Sequence, residues 1–229
     1  RRRHSFPTRR SSDLLLGDDV EFLGDSDPNW LNAWQQASTR HLAQNDQALG
    51  PVQTGVTRPQ LVQSVFEVAD ELNPLVLGAS RLIRVAERWA PAKQLQVYAN
   101  RGLAGIDGTV ATATGIALTE PGATTRVLLG DLTLLHDSGS LVIDPIDANL
   151  NLQLIVGNDN GGTIFGGLEV AQLLPADQLQ KLFTTPQAIN LRLLAQAYGW
   201  DYVAVTSVQE LGAALKTPGH VLVDVALAE

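Results

Sequence analysis

Downstream of Thr57 the chain alternates between short apolar runs and segments whose apolar residues recur every three or four positions. Thr57-Arg58-Pro59 opens one such segment, and Leu61, Val62, Val65, Phe66 and Ala69 share a face of a helix expected to run through Leu72. Asn73-Pro74 ends it, and Leu75-Val76-Leu77 reads as a strand. Gly78-Ala79-Ser80 turns into a second helix that reaches about Trp89 and is stopped by Pro91. Residues 95–98 form the next strand, followed by a glycine-rich segment, 100–108, and a helix of small residues over 109–118. The runs 125–129 and 152–156, rich in Val, Leu and Ile and bounded by turn residues, read as buried strands of a parallel sheet. The 25 residues from 133 to 157 suit one crossover helix between two adjacent parallel strands. Thr185-Pro186 opens a helix containing 191–198, which Gly199 closes. Residues 202–205 are a fifth strand, Ser207-Val208-Gln209-Glu210 is a capping box for a helix to about Leu215, and 221–227 are a sixth strand. The predicted fold is α/β, a doubly wound six-stranded parallel sheet with helices on both faces.

Upstream of residue 55 the pattern changes. Residues 15–54 begin acidic and loop-like, then Asp27-Pro28 introduces a helix with apolar positions 30, 31, 34, 37 and 42. This segment carries too little apolar mass to fold alone and reads as the end of a preceding domain with its linker. Residues 1–14 are basic, unpatterned and unlike the acidic remainder; they resemble a translated sequencing-adapter peptide and are expected to pack on nothing. A basic nucleic-acid arm and a transit peptide are the alternatives that their Arg and Ser content leaves open. The chain holds no methionine, which leads to the expectation that it is part of something longer.

Composition narrows the function. At 229 residues and 45% apolar content, the chain can bury a full core. A net charge of −8 argues against a nucleic-acid partner, and no apolar run is long enough for a membrane span. The absence of cysteine excludes thiolate and disulfide chemistry and makes a cytoplasmic setting the default expectation.

Candidate chemistry gathers at two strand ends, Gly130-Asp131-Leu132 and Asn158-Asp159-Asn160-Gly161-Gly162. Adjacent parallel strands would put Asp131 beside the Asn158-Asp159 pair at the carboxyl edge, where open α/β sheets bind ligands. Carboxylate and carbonyl oxygens there suit Mg²⁺, and a helix starting after Gly130 offers free N–H groups to a diphosphate. Two strand-end Asp/Asn turns would give the same local pattern.

Gly-Asp-Gly followed about 25–30 residues later by paired asparagines is the thiamine-diphosphate motif, and this chain resembles it with Leu132 and Asp159 as departures. Together with Asn100-Arg101-Gly102, Gly105-Ile106-Asp107-Gly108 and Gly161-Gly162-Thr163-Ile164-Phe165, the pattern over residues 57–229 resembles the 2-succinyl-5-enolpyruvyl-6-hydroxy-3-cyclohexene-1-carboxylate synthases of menaquinone biosynthesis. The resemblance implies a transferase that uses thiamine diphosphate and Mg²⁺ (or Mn²⁺) to decarboxylate 2-oxoglutarate and add the resulting carbanion to isochorismate. It implies that Asp131, Asp159 and the Gly161 carbonyl hold the metal, and that Gly105, Gly130, Leu132, Asn158 and Ile164 contribute to the cofactor site. Ile106 corresponds to the bulky residue that props the cofactor into its bent form, and Ile164 and Phe165 to residues lining the pocket over its reactive carbon. Ser80, Arg84 and Arg101 correspond to positions facing the substrates' carboxylates, an arrangement that suits the bidentate fork of arginine. His136 reads as structural or as an outer support of the motif. In the family the activating glutamate belongs to the N-terminal domain of a partner subunit, in a homodimer or homotetramer. The resemblance therefore implies half a cofactor site here, completed by a second subunit.

Three other readings stay open on sequence. Another thiamine-diphosphate decarboxylase or carboligase, such as an acetolactate-synthase-like enzyme, would share the diphosphate motif. An inactive remnant would share it too. A nicotinamide-binding Rossmann domain is disfavoured, since no Gly-x-Gly-x-x-Gly follows the first strand.

Overall fold

A computed structural model describes residues 27–48, 55–147 and 149–228. The basic stretch 1–14, the acidic loop up to residue 26 and residues 49–54 of the expected linker lie outside the described residues. The chain divides into two units, one up to Pro51 and one from Val52 onward. In the first, helix α1 (Pro28–Ala48) starts at the Asp27-Pro28 signal, where Asp27 Oδ1 accepts the Asn29 amide at 2.9 Å. Trp30 and Trp34, one turn apart, bring their ring centroids to 6.0 Å. Among the described residues no helix is long and apolar enough to cross a membrane.

The second unit is a six-stranded sheet, β1 (Leu75–Leu77), β2 (Val97–Tyr98), β3 (Thr124–Gly130), β4 (Asn151–Asn158), β5 (Asp201–Val205) and β6 (His220–Ala226), in the order β2-β1-β3-β4-β6-β5. All five pairings are parallel, as the strand-helix alternation predicts. Its helices are α2 (Arg58–Val68), α3 (Arg81–Trp89), α4 (Thr109–Thr119), α5 (Asp131–His136), α6 (Val170–Leu173), α7 (Ala176–Leu179), α8 (Leu191–Ala197) and α9 (Val208–Ala214). Successive strand residues face opposite ways, so Leu128 and Ile155 join the core under α2, α3 and α9. Val127, Leu129, Leu154 and Val156 join the core under α4, α5 and α8. Both faces are covered, which is why β3 and β4 read as unbroken apolar runs.

The carboxyl edge is assembled by register. β3 and β4 pair from Thr124↔Asn151 to Gly130↔Gly157, so both strands end level. Gly157 permits a close approach: a Cβ there would lie 3.0 Å from side-chain carbons of Leu61 and Leu82. A parallel bridge between Val56 and Leu227 brings the start of α2 to the same edge, and a complete capping box of Thr57 and Gln60 fixes that start.

Several boundaries differ from the sequence expectation. α2 ends at Val68 instead of Leu72, because Asp70 accepts the Leu72 amide and the Asn73 side chain and turns the chain early. The connection between β3 and β4 is not one long helix. α5 lasts six residues and gives way to 3-10 turns at Ser138–Leu141 and Pro145–Asp147, where Gly139 and Pro145 disfavour a continuous helix. Glu210 completes only half of its capping box, since its carboxylate takes the amide and hydroxyl of Thr206. Finally, Thr185 does not open α8. It ends the π-helical turn Gln180–Thr184 in a left-handed conformation (φ 43°), and the Asn190 side chain caps α8 by accepting the Leu193 amide at 3.1 Å.

The last difference is testable. Asn190→Ala is expected to lower unfolding free energy by about 1 kcal/mol, the usual worth of a side-chain cap. Thr185→Ala should leave the denaturation midpoint nearly unchanged, and the reverse order of effects would return the cap to Thr185.

Candidate functional site

Asp131 is the first residue of α5 and is only 5% exposed. Its Oδ2 accepts the Gly161 amide at 2.7 Å, tying the end of β3 to the loop after β4. That loop is shaped locally. Asn158 Oδ1 accepts the Asn160 amide at 3.1 Å, which holds Asn160 left-handed (φ 57°), a conformation asparagine tolerates. Gly161 follows at φ 127°, where a Cβ would sit 2.4 Å from the Thr184 carbonyl oxygen, so no larger residue fits. Asn158 also donates to Asp224 at 3.0 Å, and Asp224 accepts the Tyr202 hydroxyl at 2.7 Å. Burial, with Asp224 alongside, pushes the Tyr202 hydroxyl up to about 12, so it stays a proton donor to that carboxylate.

A second cluster stands beside the first. Arg58, at the start of α2, forms an ion pair with Asp159 at 2.6 Å. Thr163 donates its hydroxyl proton to the same oxygen of Asp159 and accepts from Arg58 at 3.2 Å and from Arg81 at 3.0 Å. Burial lowers the pKa of the Arg81 guanidinium and the neighbouring Arg58 lowers it further, with Asp159 offsetting part of the effect. Between the clusters opens a cleft of about 600 Å³ including its mouth, walled by Ser80, Arg81, Ile106, Asp131, Asp159 and Phe165.

The structure brings most of the sequence candidates to this cleft. Gly130, Leu132 and Ile164 line it as well, and Phe165 is braced edge-on by Phe183 with centroids 5.8 Å apart. Ser80 holds φ 95° and ψ −133°, a backbone conformation that a non-glycine residue adopts at a cost. Asn158 lines an adjoining pocket with Asp131 and Asn160. Three candidates sit apart. The Arg84 guanidinium folds back onto the Ser80 carbonyl. Arg101 is exposed on the loop after β2, and Gly105 is exposed beside the Asp107 carboxylate. His136 ends α5 and lines neither pocket. Sequence reasoning missed Arg58, Arg81, Thr163 and Asp224. The available signal for the two arginines was their position, each immediately after a turn that delivers a helix to the carboxyl edge.

The electrostatics of Asp131 give a further prediction. Burial pushes its carboxyl up to about 6; the Leu132 and Gly161 amides act against that shift, and the Asp159 charge adds to it. A raised acid pKa means that the folded state holds the proton more tightly than the unfolded chain, for which the reference is 3.8. Stability therefore falls as pH rises from about 4 to 6, and the full penalty, roughly 3 kcal/mol at most, is present above pH 6. Asp131→Asn keeps an oxygen for the Gly161 amide and removes the charge. In metal-free protein it is expected to raise unfolding free energy by about 1–3 kcal/mol at pH 8 and by almost nothing at pH 4. Urea denaturation at both pH values checks this; an equal gain at each would mean that ionisation is not the cause.

Comparison with known proteins agrees with this geometry. The family described as thiamine pyrophosphate enzyme, C-terminal TPP binding domain, matches residues 80–225. A protein of Clavibacter michiganensis subsp. michiganensis named 2-succinyl-5-enolpyruvyl-6-hydroxy-3-cyclohexene-1-carboxylate synthase is 49% identical over 176 residues, covering 74% of this chain and 30% of that protein. Proteins of the same name from Leifsonia xyli subsp. xyli and Paenarthrobacter aurescens are 48% and 41% identical, covering 74% and 92% of this chain and 30% and 38% of their own lengths. The chain thus spans about a third of the length of these curated relatives. An X-ray structure of a candidate thiamin diphosphate-dependent enzyme isolated from Mycobacterium smegmatis superposes with a TM-score of 0.60 at 17% identity, over 77% of this chain and 33% of that one, a likeness of fold. On a match that takes in well over half of its residues, the chain belongs to the thiamine pyrophosphate enzymes and carries their C-terminal TPP-binding domain.

Proposed function

We propose that residues 55–229 form the diphosphate- and metal-binding domain of a 2-succinyl-5-enolpyruvyl-6-hydroxy-3-cyclohexene-1-carboxylate synthase, with residues 15–54 the end of the preceding domain and its linker. The observation that carries this reading is the buried Asp131 carboxylate, held against the Gly161 loop at the level ends of two adjacent parallel strands. The names of the relatives supply the choice among thiamine-diphosphate enzymes.

The residues present fit a divalent cation. A buried carboxyl pushed up to about 6 is one whose ionised form lacks a cationic partner, and a metal ion is a matched one. Among the described residues no three His, Cys, Asp or Glu side chains converge as a metal cage. Two carboxylates and a main-chain carbonyl are what Mg²⁺ or Mn²⁺ needs when phosphate oxygens and water complete an octahedron. In this reading Asp131, Asp159 and the Gly161 carbonyl hold the metal, and Gly105, Gly130, Leu132 and Asn158 shape the cofactor's seat. α5 starts at Asp131 with no side chain capping it, which leaves amides for a diphosphate.

Bound thiamine diphosphate supplies the electron sink for releasing CO₂ from 2-oxoglutarate and passing the succinyl unit to isochorismate. The chain's own residues do the rest. Ile106 props the cofactor, while Ile164 and Phe165 exclude water from the place where charge is lost. Ser80, Arg84 and Arg101 receive substrate carboxylates; Arg84 and Arg101 must swing from their present positions to do so. A second subunit in a homodimer or homotetramer brings the activating glutamate and closes the pocket, and the assembly works in the cytoplasm.

The test uses the full-length enzyme. Asp131→Ala is expected to abolish Mg²⁺-dependent binding of thiamine diphosphate, followed by calorimetry, while circular dichroism stays unchanged. Cofactor affinity equal to that of the unsubstituted enzyme would remove this reading.

A further inference from the structure

The Thr163 hydroxyl is used to capacity. A hydroxyl has one proton and two lone pairs. Here the proton goes to Asp159 Oδ2, and the lone pairs accept from Arg58 Nη2 at 3.2 Å and Arg81 Nη1 at 3.0 Å. Arg58 Nη2 reaches the same Asp159 oxygen at 2.6 Å. Oδ2 therefore carries two donors, whereas Oδ1 takes part in no hydrogen bond among the described residues.

We infer that Thr163, with Arg58 and Arg81, positions Asp159 by anchoring one carboxylate oxygen and leaving the other for the metal. This rests on the reading above, that a divalent cation sits at Asp131 and Asp159. A carboxylate free to rotate about its last bond offers either oxygen in many orientations; one anchored at Oδ2 presents Oδ1 in one. The arrangement also gives a reason for aspartate at a position where the motif usually has asparagine. An amide has a single acceptor oxygen, which Arg58 and a metal would have to share. A carboxylate has two and serves both. Three elements meet at the hydroxyl, the starts of α2 and α3 and the turn after β4, so the anchor also fixes these helices against the metal loop. Outer partners of metal ligands commonly govern affinity by 10–100-fold.

The experiment titrates Mn²⁺ into the 229-residue chain and reads free Mn²⁺ by electron paramagnetic resonance, with a thermal melt of each variant as a folding check. Thr163→Val, which changes no charge, is expected to weaken Mn²⁺ binding about tenfold, and Thr163→Ser, which keeps the hydroxyl, to stay within about twofold. In an Asp159→Ala background, Thr163→Val should then matter less than about twofold, because there is no carboxylate left to position. Equal losses in both backgrounds, or no loss in either, would overturn the inference while leaving the metal site in place. Unchanged Mn²⁺ binding in Asp131→Ala would instead overturn the metal site itself, and the inference with it.

Discussion

The hydrogen bond from the Gly161 amide to Asp131 is the contact on which the site depends. It joins the start of α5 to the loop after β4, 30 residues away in sequence, and it can form because β3 and β4 run parallel in a register that pairs Gly130 with Gly157 at the carboxyl edge. A slip of one residue would turn every core side chain of β4 to the opposite face, so two buried faces enforce that register. The hydrophobic core and the site are thus one constraint. What packs Leu128 against one layer and Leu129 against the other also brings Asp131 to the Gly161 loop.

The site is built against the stability of the fold. Asp131 is a buried acid with a raised pKa, Ser80 holds a positive φ, and Gly161 occupies a backbone conformation closed to other residues. Each is a local expense that the surrounding sheet sustains, a pattern common to functional sites. Positive charge is supplied next to it by Arg58 and Arg81; among the described residues Arg58 forms an ion pair with Asp159, while Arg81 donates to the Thr163 hydroxyl. The cleft therefore joins an acidic end, suited to a cation, to a basic end suited to an anion. A metal–diphosphate headgroup and a substrate carboxylate have that distribution of charge.

How much of this was legible in the sequence follows from what each feature depends on. Strand identity and sheet class came from local apolar runs, which is why β3, β4 and the carboxyl-edge position of Asp131 could be read directly. Helix ends were less legible, because they turn on single side-chain hydrogen bonds: Asp70 stops α2, and Asn190 rather than Thr185-Pro186 starts α8. The arginine cluster was out of reach for another reason. Arg58 and Asp159 lie 101 residues apart and meet through the Val56–Leu227 bridge, a long-range contact with no local signature. Ser80 and Arg84 were visible by resemblance, whereas Arg81 between them shows its role only through Thr163.

In the proposed reading a divalent metal sits at the carboxyl edge between β3 and β4. Anomalous diffraction at the manganese edge from crystals of the full-length enzyme grown with thiamine diphosphate and Mn²⁺ would locate the ion. The expected result is a single strong peak within about 2.3 Å of a carboxylate oxygen of Asp131, of Asp159 and of the Gly161 carbonyl. A peak elsewhere in the domain, or cofactor density with its diphosphate away from that edge, would contradict it.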